Sequence, residues 1–159
     1  MAKRRKRTNK NVPAKGRLRD LADKLWSLAV REDWANKCAI CGKRSYLNAH
    51  HLIYRHNEAV KYLLENGICM CGYCHTMCPK YSPHLNGFAF TAWLKKHHHE
   101  RALWCESTVE FGDHMRFDGT TNPAYYIEQI RRLSKYVSDE QFVKVVGVQF
   151  AEWLEENSE

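Results

Sequence analysis

At 159 residues, with 44% hydrophobic and 27% charged side chains, the chain is long enough for one compact core and too short to divide comfortably into two. No apolar run approaches the roughly 18 residues of a membrane span, and no apolar stretch follows the N-terminal charges as in a signal peptide, so the chain is expected in the cytoplasm, without a membrane partner. Charge is uneven within the net +7: residues 1–19 hold nine Lys or Arg and no acid, while the remainder sets sixteen basic against eighteen acidic side chains.

Residues 1–16 are therefore predicted to form a disordered basic arm, with Arg4, Arg5, Lys6 and Arg7 as contacts to phosphate through counterion release. A purely solubilising tail is the alternative. Over residues 17–37, Leu18, Leu21, Leu25, Leu28 and Ala29 recur at helical spacing and predict an amphipathic helix ending just before Cys38. Residues 38–84 hold most of the Cys and His and little helical periodicity, apart from a short helix expected around "NEAVKYLLENG" and stopping at Gly67. Pro79 and Pro83 interrupt any long helix that starts near His75.

Residues 85–159 are expected to be a helical region packed on that core, which makes the whole an α+β, mostly helical fold. An apolar stripe through Phe88, Ala92 and Leu94 marks one helix, whereas residues 101–117 fit strand or irregular structure equally. Asn122 as cap and Pro123 at the first helical position open another, with Tyr126, Ile130, Leu133 and Val137 on one face. A Ser138-x-x-Gln141 capping box opens the last, with the stripe Phe142, Val146, Phe150 and Trp153. Trp93, Trp104 and Trp153 are expected in the core.

Cys38-x2-Cys41 and Cys71-x2-Cys74 are two knuckles, each tight enough to aim two sulfurs at one ion, and together they supply the four soft ligands of structural zinc. Gly42 and Gly72, each one residue after a knuckle's Cys, suit such turns. Cys69, Cys78 and Cys105 are expected to be packed thiols. Four thiolates leave little room for an open coordination position, so this zinc is expected to be structural.

Between the knuckles stands "LNAHHLIYRH". On a strand, adjacent side chains leave on opposite faces, so His50 and His51 are expected to have different roles. One of the two with His75, just after the second knuckle, can grip a second ion, while the other stands ready to take a proton from water. Arg55 and His56 are candidate phosphate contacts, and "KHHHE" at residues 96–100 is expected to be a solvated helix end.

Cys-x2-Cys, "AHHL", "NGICMC" and "CGYCH", in that order over residues 38–76, resemble the HNH nucleases, whose core is a β-hairpin and helix clasping one metal (the ββα-metal fold), often pinned by a four-cysteine zinc. The resemblance implies a metal-dependent endonuclease that hydrolyses phosphodiester bonds and leaves 5′-phosphate and 3′-hydroxyl ends. It places His50 and His75 on the catalytic ion, His51 as the general base and Asn66 as the asparagine that braces the hairpin. Many members carry Asp at the position of His50; a His there occurs in the colicin-type branch, which adds a third His farther along, and the next candidate here is His84, beyond Pro79 and Pro83. Two imidazoles favour manganese, nickel or zinc over magnesium as the catalytic divalent cation. The helix leading into Cys38 more loosely resembles the entry helix of Rap/NinG-type phage recombination nucleases, which act on branched DNA. Implied partners are thus duplex, nicked or branched DNA, and the implied origin is a phage acting in its host's cytoplasm. The competing expectation is a zinc-stabilised DNA-binding or recombination adaptor protein without catalysis. With the base neutral, activity is expected to fall below roughly pH 6.5.

Overall fold

A computed structural model describes residues 11–112 and 122–157. Arg4, Arg5, Lys6 and Arg7 of the basic arm lie outside the described residues. The fold is α+β and mostly helical, in the order α1 (Lys15–Asp33), β1 (Leu47–His51), β2 (Gly67–Cys71), a π-helical turn (Tyr73–Met77), α2 (Gly87–His97), α3 (His99–Gly112), α4 (Pro123–Ser134), α5 (Asp139–Val146) and α6 (Val148–Glu156). Among the described residues no helix is long and apolar enough to cross a membrane.

Helix α1 is the spine. Its stripe Leu18, Leu21, Ala22, Leu25, Trp26, Ala29 and Val30 is buried, packed against Tyr126, Ile130 and Leu133 of α4 and against Val146, Phe150 and Leu154 of α5 and α6. The helix stops at Asp33, because Ala35 and Asn36 adopt left-handed backbone angles (φ 51° and 50°) that turn the chain into the first knuckle. A second apolar cluster joins Ile68 and Met70 of β2 to the cysteine knuckles and to Phe90, Trp93 and Leu94 of α2.

The two strands pair antiparallel, with His50 opposite Ile68 and His51 opposite Gly67. Every residue of β2 is buried, as suits a strand sandwiched between α1 on one side and α2 on the other. Gly67 permits the closest approach. A Cβ there would overlap Val30 Cγ2, lie 2.9 Å from Val30 Cγ1 and sit 3.2 Å from the Trp26 ring. Gly67→Ala is therefore expected to cost about 2 kcal/mol by overpacking and to lower the thermal midpoint by roughly 5 °C. A calorimetric midpoint within 1 °C of the wild type would show that α1 yields instead.

Several expectations need correction. The segment Asn57–Asn66 forms no helix but a run of i to i+3 turns, as in Val60 N to Asn57 O at 3.2 Å and Leu63 N to Val60 O at 3.1 Å. Its carbonyls are also bonded by side chains, most of them from outside the segment: Glu58 by Tyr125, Val60 by Asn66, Lys61 by His51, Tyr62 by Arg132, Leu63 by Trp26 and Leu64 by Arg101. These partners fix the turns in place of a regular helix.

In α2, Phe88 and Ala92 face solvent, and Phe90, Trp93 and Leu94 are buried. The Asn86 side chain accepts from Ala89 N and sets the start of the helix, and packing on β2 selects the face with the larger aromatic area. Residues 101–112 are helical in α3, and 113–117 lie outside the described residues.

The capping box of Ser138 and Gln141 is present, but its helix is broken at Gly147. There φ is +86°, accessible at low cost only to glycine, so α5 and α6 replace one predicted helix. Trp93 is buried as expected, whereas Trp104 and Trp153 are only partly covered.

Candidate functional site

The sulfurs of Cys38, Cys41, Cys71 and Cys74 all lie within 4.8 Å of one another, an arrangement placed to hold a metal ion and consistent with structural zinc. Cys41 Sγ and Cys71 Sγ are 3.6 Å apart, close to the about 3.8 Å edge of a zinc–thiolate tetrahedron. The first knuckle is closed by Gly42 N on Cys38 O at 2.8 Å, with Gly42 at φ +72°. Gly72, by contrast, has ordinary right-handed angles and begins the π-helical turn, so no glycine-specific conformation is used there.

Burial raises the Cys38 thiol, but backbone N–H groups of Cys71, Cys41 and Ile40 outweigh it and bring Cys38 down to about 7. Such donors stabilise a thiolate and hence a metal ligand. Cys69 is fully buried and pushed up to about 11 chiefly by burial; it stays outside the four-sulfur group. Cys78 and Cys105 are only partly buried.

His50 and His51 leave β1 on opposite faces. His50 Nδ1 lies 3.0 Å from His75 Nε2, and His84 Nε2 lies 3.1 Å from that same His75 atom. All three imidazoles offer nitrogens within 4.8 Å of one another. A ring nitrogen carries either one proton or one lone pair, so His75 Nε2 can form a good hydrogen bond with only one of its two neighbours. A divalent cation accepts all three lone pairs at once. Its ligand edges, about 3.0 to 3.4 Å for metal–nitrogen bonds of 2.0–2.1 Å, match the observed spacings. The three-imidazole donor set therefore fits an ion of the manganese-to-zinc series.

Two local devices bring these rings together. Cys74 and His75 are neighbours in the π-helical turn, so the second knuckle carries one histidine with it. Pro79 and Pro83 do keep α-helix from running on from His75, but the chain folds back rather than away. Ser82, fully buried, donates from Oγ to His75 O at 2.7 Å and accepts from His84 N at 3.2 Å and Leu85 N at 3.3 Å. The edge of Phe90 faces His50 at a ring separation of 6.1 Å.

His51 lies on the α1 side. Its ring stacks on Trp26 at 3.7 Å and 9°, and its Nε2 sits 3.1 Å from Lys61 O. A carbonyl accepts only, so Nε2 carries the proton and Nδ1 keeps the lone pair. The acceptor is itself anchored. Lys61 Nζ pairs with Asp23 Oδ1 at 2.8 Å, and Tyr62 OH donates to Asp23 at 2.7 Å. Asp23 and Trp26, three residues apart, thus present one polar and one aromatic prop from the same helical face.

Asn66, fully buried, accepts from Ile53 N at 2.6 Å through Oδ1 and donates to Val60 O at 3.2 Å. It braces the chain just after β1 against the loop that precedes β2. Arg55 and His56 are exposed in the turn after β1, with His56 packed on Tyr54 at 4.7 Å. In the run His97, His98 and His99, His97 stacks on Trp93 and His98 meets Trp34 edge-on, so that helix junction is partly packed rather than wholly solvated.

Burial drives His50 down to about 3, helped by positive charge on His75, His84 and His51. Burial also drives His51 down to about 4, with the Lys61 carbonyl pulling up and the Lys61 charge pushing further down. His75 is lowered by burial and by His84. For a histidine with a depressed folded value, the unfolded chain takes up the proton first. Stability is therefore full above the unfolded value near 6.5 and is lost as pH falls from there toward 3 to 4. With zinc on the cysteines and no second ion, imidazole NMR signals of His50 and His51 are expected to stay at their neutral positions down to pH 5. Midpoints near 6.5 would show that these rings are solvated.

Sequence reasoning did not single out Asp23, Trp26, Lys61 or Ser82. An acid beside the apolar stripe of α1 was the available signal for Asp23; for Ser82 it was the Ser-Pro pair with Pro83, which favours a turn. No family model matches the chain, and no curated protein or solved structure shows significant similarity to it.

Proposed function

We propose that this chain is a metal-dependent endonuclease of the HNH type, nicking DNA by phosphodiester hydrolysis. The observation that carries this reading is the division of labour between adjacent histidines: His50 joins His75 and His84 in an ion-binding cluster, while His51 is held neutral with Nδ1 available as a proton acceptor. In this reading β1, β2 and the turn Tyr73–Met77 are a shortened ββα-metal core, with the five-residue π-helical turn where a longer helix would stand.

His50, His75 and His84 would hold the ion, with His84 as the third ligand. When bound, a divalent cation supplies Lewis-acid stabilisation of the charge that develops on the phosphate and the leaving oxygen. His51 Nδ1 takes the proton of the attacking water, and its Nε2–H, tied to Lys61 O, spreads the resulting charge toward a carbonyl dipole. Arg55 adds positive potential beside His51, which the lowered proton affinity of that ring registers, and suits a phosphate of the scissile strand. The basic arm, with Arg4, Arg5, Lys6 and Arg7, supplies affinity that depends on salt. Because His51 is depressed to about 4, loss of the base is expected below pH 5 and not near 6.5.

One such centre cuts one strand, so a single encounter nicks. The test is supercoiled plasmid incubated with the zinc-loaded protein and Mg²⁺, Mn²⁺ or Ni²⁺, beside a chelator control, followed by end-mapping. Open circles that require added metal and carry 5′-phosphate and 3′-hydroxyl ends are expected. Intact plasmid and intact branched substrates with every metal, despite DNA binding, would favour the adaptor function instead.

A further inference from the structure

The three histidines come from two separate pieces of chain, β1 and the segment from His75 to His84, and the second piece contributes two of them. That segment has no regular structure after Met77 and passes through Pro79, Lys80, Tyr81 and Pro83. Its Ser82-Pro83 pair favours a turn, but a turn alone does not set His84 over His75. We infer that Ser82 is the positioning residue of the histidine centre, clamping two of its three ligands into one rigid unit; this assignment rests on the ion-binding role proposed above for that cluster.

The argument is one of hydrogen-bond capacity. A hydroxyl has one proton and two lone pairs, and Ser82 Oγ uses all three. It donates to the carbonyl of His75 at 2.7 Å and accepts from the amides of His84 and Leu85 at 3.2 and 3.3 Å. The main chain of the same residue adds further closure, since Ser82 N bonds Cys78 O at 3.0 Å and Ser82 O receives Asn86 N at 2.8 Å. Ser82 has no exposed surface, and loss of its hydroxyl would remove the partner that the His75 carbonyl and the His84 amide share.

The bonds go to the main chain of the ligands rather than to their rings. Their effect is to fix the distance between the two Cα positions from which the rings reach the ion. Groups that orient metal ligands in this way typically change affinity by about 10–100-fold when removed. Other serines and threonines nearby do not share the feature. Thr76, next to His75 in the same turn, is exposed and makes a single bond, from Oγ1 to Gly72 O at 3.0 Å.

The experiment measures Co²⁺ affinity at the histidine centre by visible absorption, with zinc already on the cysteines, in the full chain. Ser82→Ala is expected to bind Co²⁺ about 10–100-fold more weakly than the wild type, with its zinc complement unchanged. Thr76→Ala, which loses one side chain-to-backbone bond in the same turn, is expected to stay within about twofold. Ser82→Thr and Ser82→Val form an isosteric pair in which any packing cost of the added methyl cancels, and the Thr variant is expected to bind at least about tenfold more tightly than the Val variant. Equal affinities for that pair, unchanged affinity in Ser82→Ala, or loss of the cysteine-bound zinc in both members of the pair would overturn the assignment. A wild-type protein that binds no Co²⁺ beyond the cysteines would remove the centre itself, and the proposed nuclease function with it. Binding by the wild type that Ser82→Ala matches removes only the role of Ser82.

Discussion

Cys74→Ser is expected to lose the structural ion and, with it, ion binding at the histidines, whereas His75→Ala is expected to empty the histidine centre alone. The asymmetry follows from the order in which the two centres are built. Cys74 and His75 share a five-residue π-helical turn, and that turn is held by the four-sulfur group at its start and by Ser82 at His75. Beyond the knuckles, the buried large apolar residues of the β2 and α2 cluster are Ile68, Met70, Phe90, Trp93 and Leu94, with Trp34, Ile40, Leu47, Leu52 and Tyr81 partly buried against them. Structural zinc contributes folding free energy of about 10–16 kcal/mol in small domains, comparable to what burial of the five core side chains supplies at about 1.5–3 kcal/mol each. Loss of one thiolate should therefore free the turn, β2 and the reach of His75 together. Elemental analysis and near-ultraviolet circular dichroism of both variants check this. Cys74→Ser protein that keeps a full equivalent of zinc would show that the ion is held by other sulfurs.

Under the proposed nuclease function, His51→Ala is expected to reduce nicking by about a thousandfold, within the range of general-base catalysis, while Co²⁺ affinity at His50, His75 and His84 stays unchanged. His51 lies on the α1 face of β1, away from the ion-binding rings, and it takes no part in the cluster. Its environment instead selects a tautomer and a charge state: the Lys61 carbonyl binds Nε2–H, and burial against Trp26 disfavours the cation. Single-turnover rates over a range of pH separate the two roles. The wild-type rate should hold to about pH 5, and the residual rate of the variant should rise with hydroxide concentration as water loses its base. A variant as fast as the wild type would remove His51 from the chemistry and leave it as a packed histidine on Trp26.

Local periodicity and short-range chemistry made much of this protein legible. The stripe of α1, the Asn122 and Ser138 caps and the two cysteine knuckles are each written within a few residues, because helix geometry, capping and knuckle turns act over that range. The period of two along a strand likewise separated His50 from His51. Where local signals competed, they misled. "NEAVKYLLENG" has adequate helix formers, but six of its carbonyls are claimed by side chains, two of them from α4 at separations of 67 and 70 residues. In α2 the stripe expected through Phe88, Ala92 and Leu94 caught only Leu94 of the buried face, which contact with β2 and the knuckles sets as Phe90, Trp93 and Leu94.

The sequence by itself determined the parts: a basic N-terminal segment, an apolar spine helix, four sulfurs able to share an ion, and histidines divided between two sides of a strand. Only the tertiary structure decided how they meet. It brought His84 onto His75 through the buried hydroxyl of Ser82, and it set Trp26 against His51 because Gly67, opposite on the neighbouring strand, leaves room for α1. The physical reason is the range of the forces. Backbone propensity and capping act within a turn or two, whereas a buried carbonyl or imidazole takes whichever partner the packing of distant segments delivers, since leaving it unpaired costs about 1–3 kcal/mol.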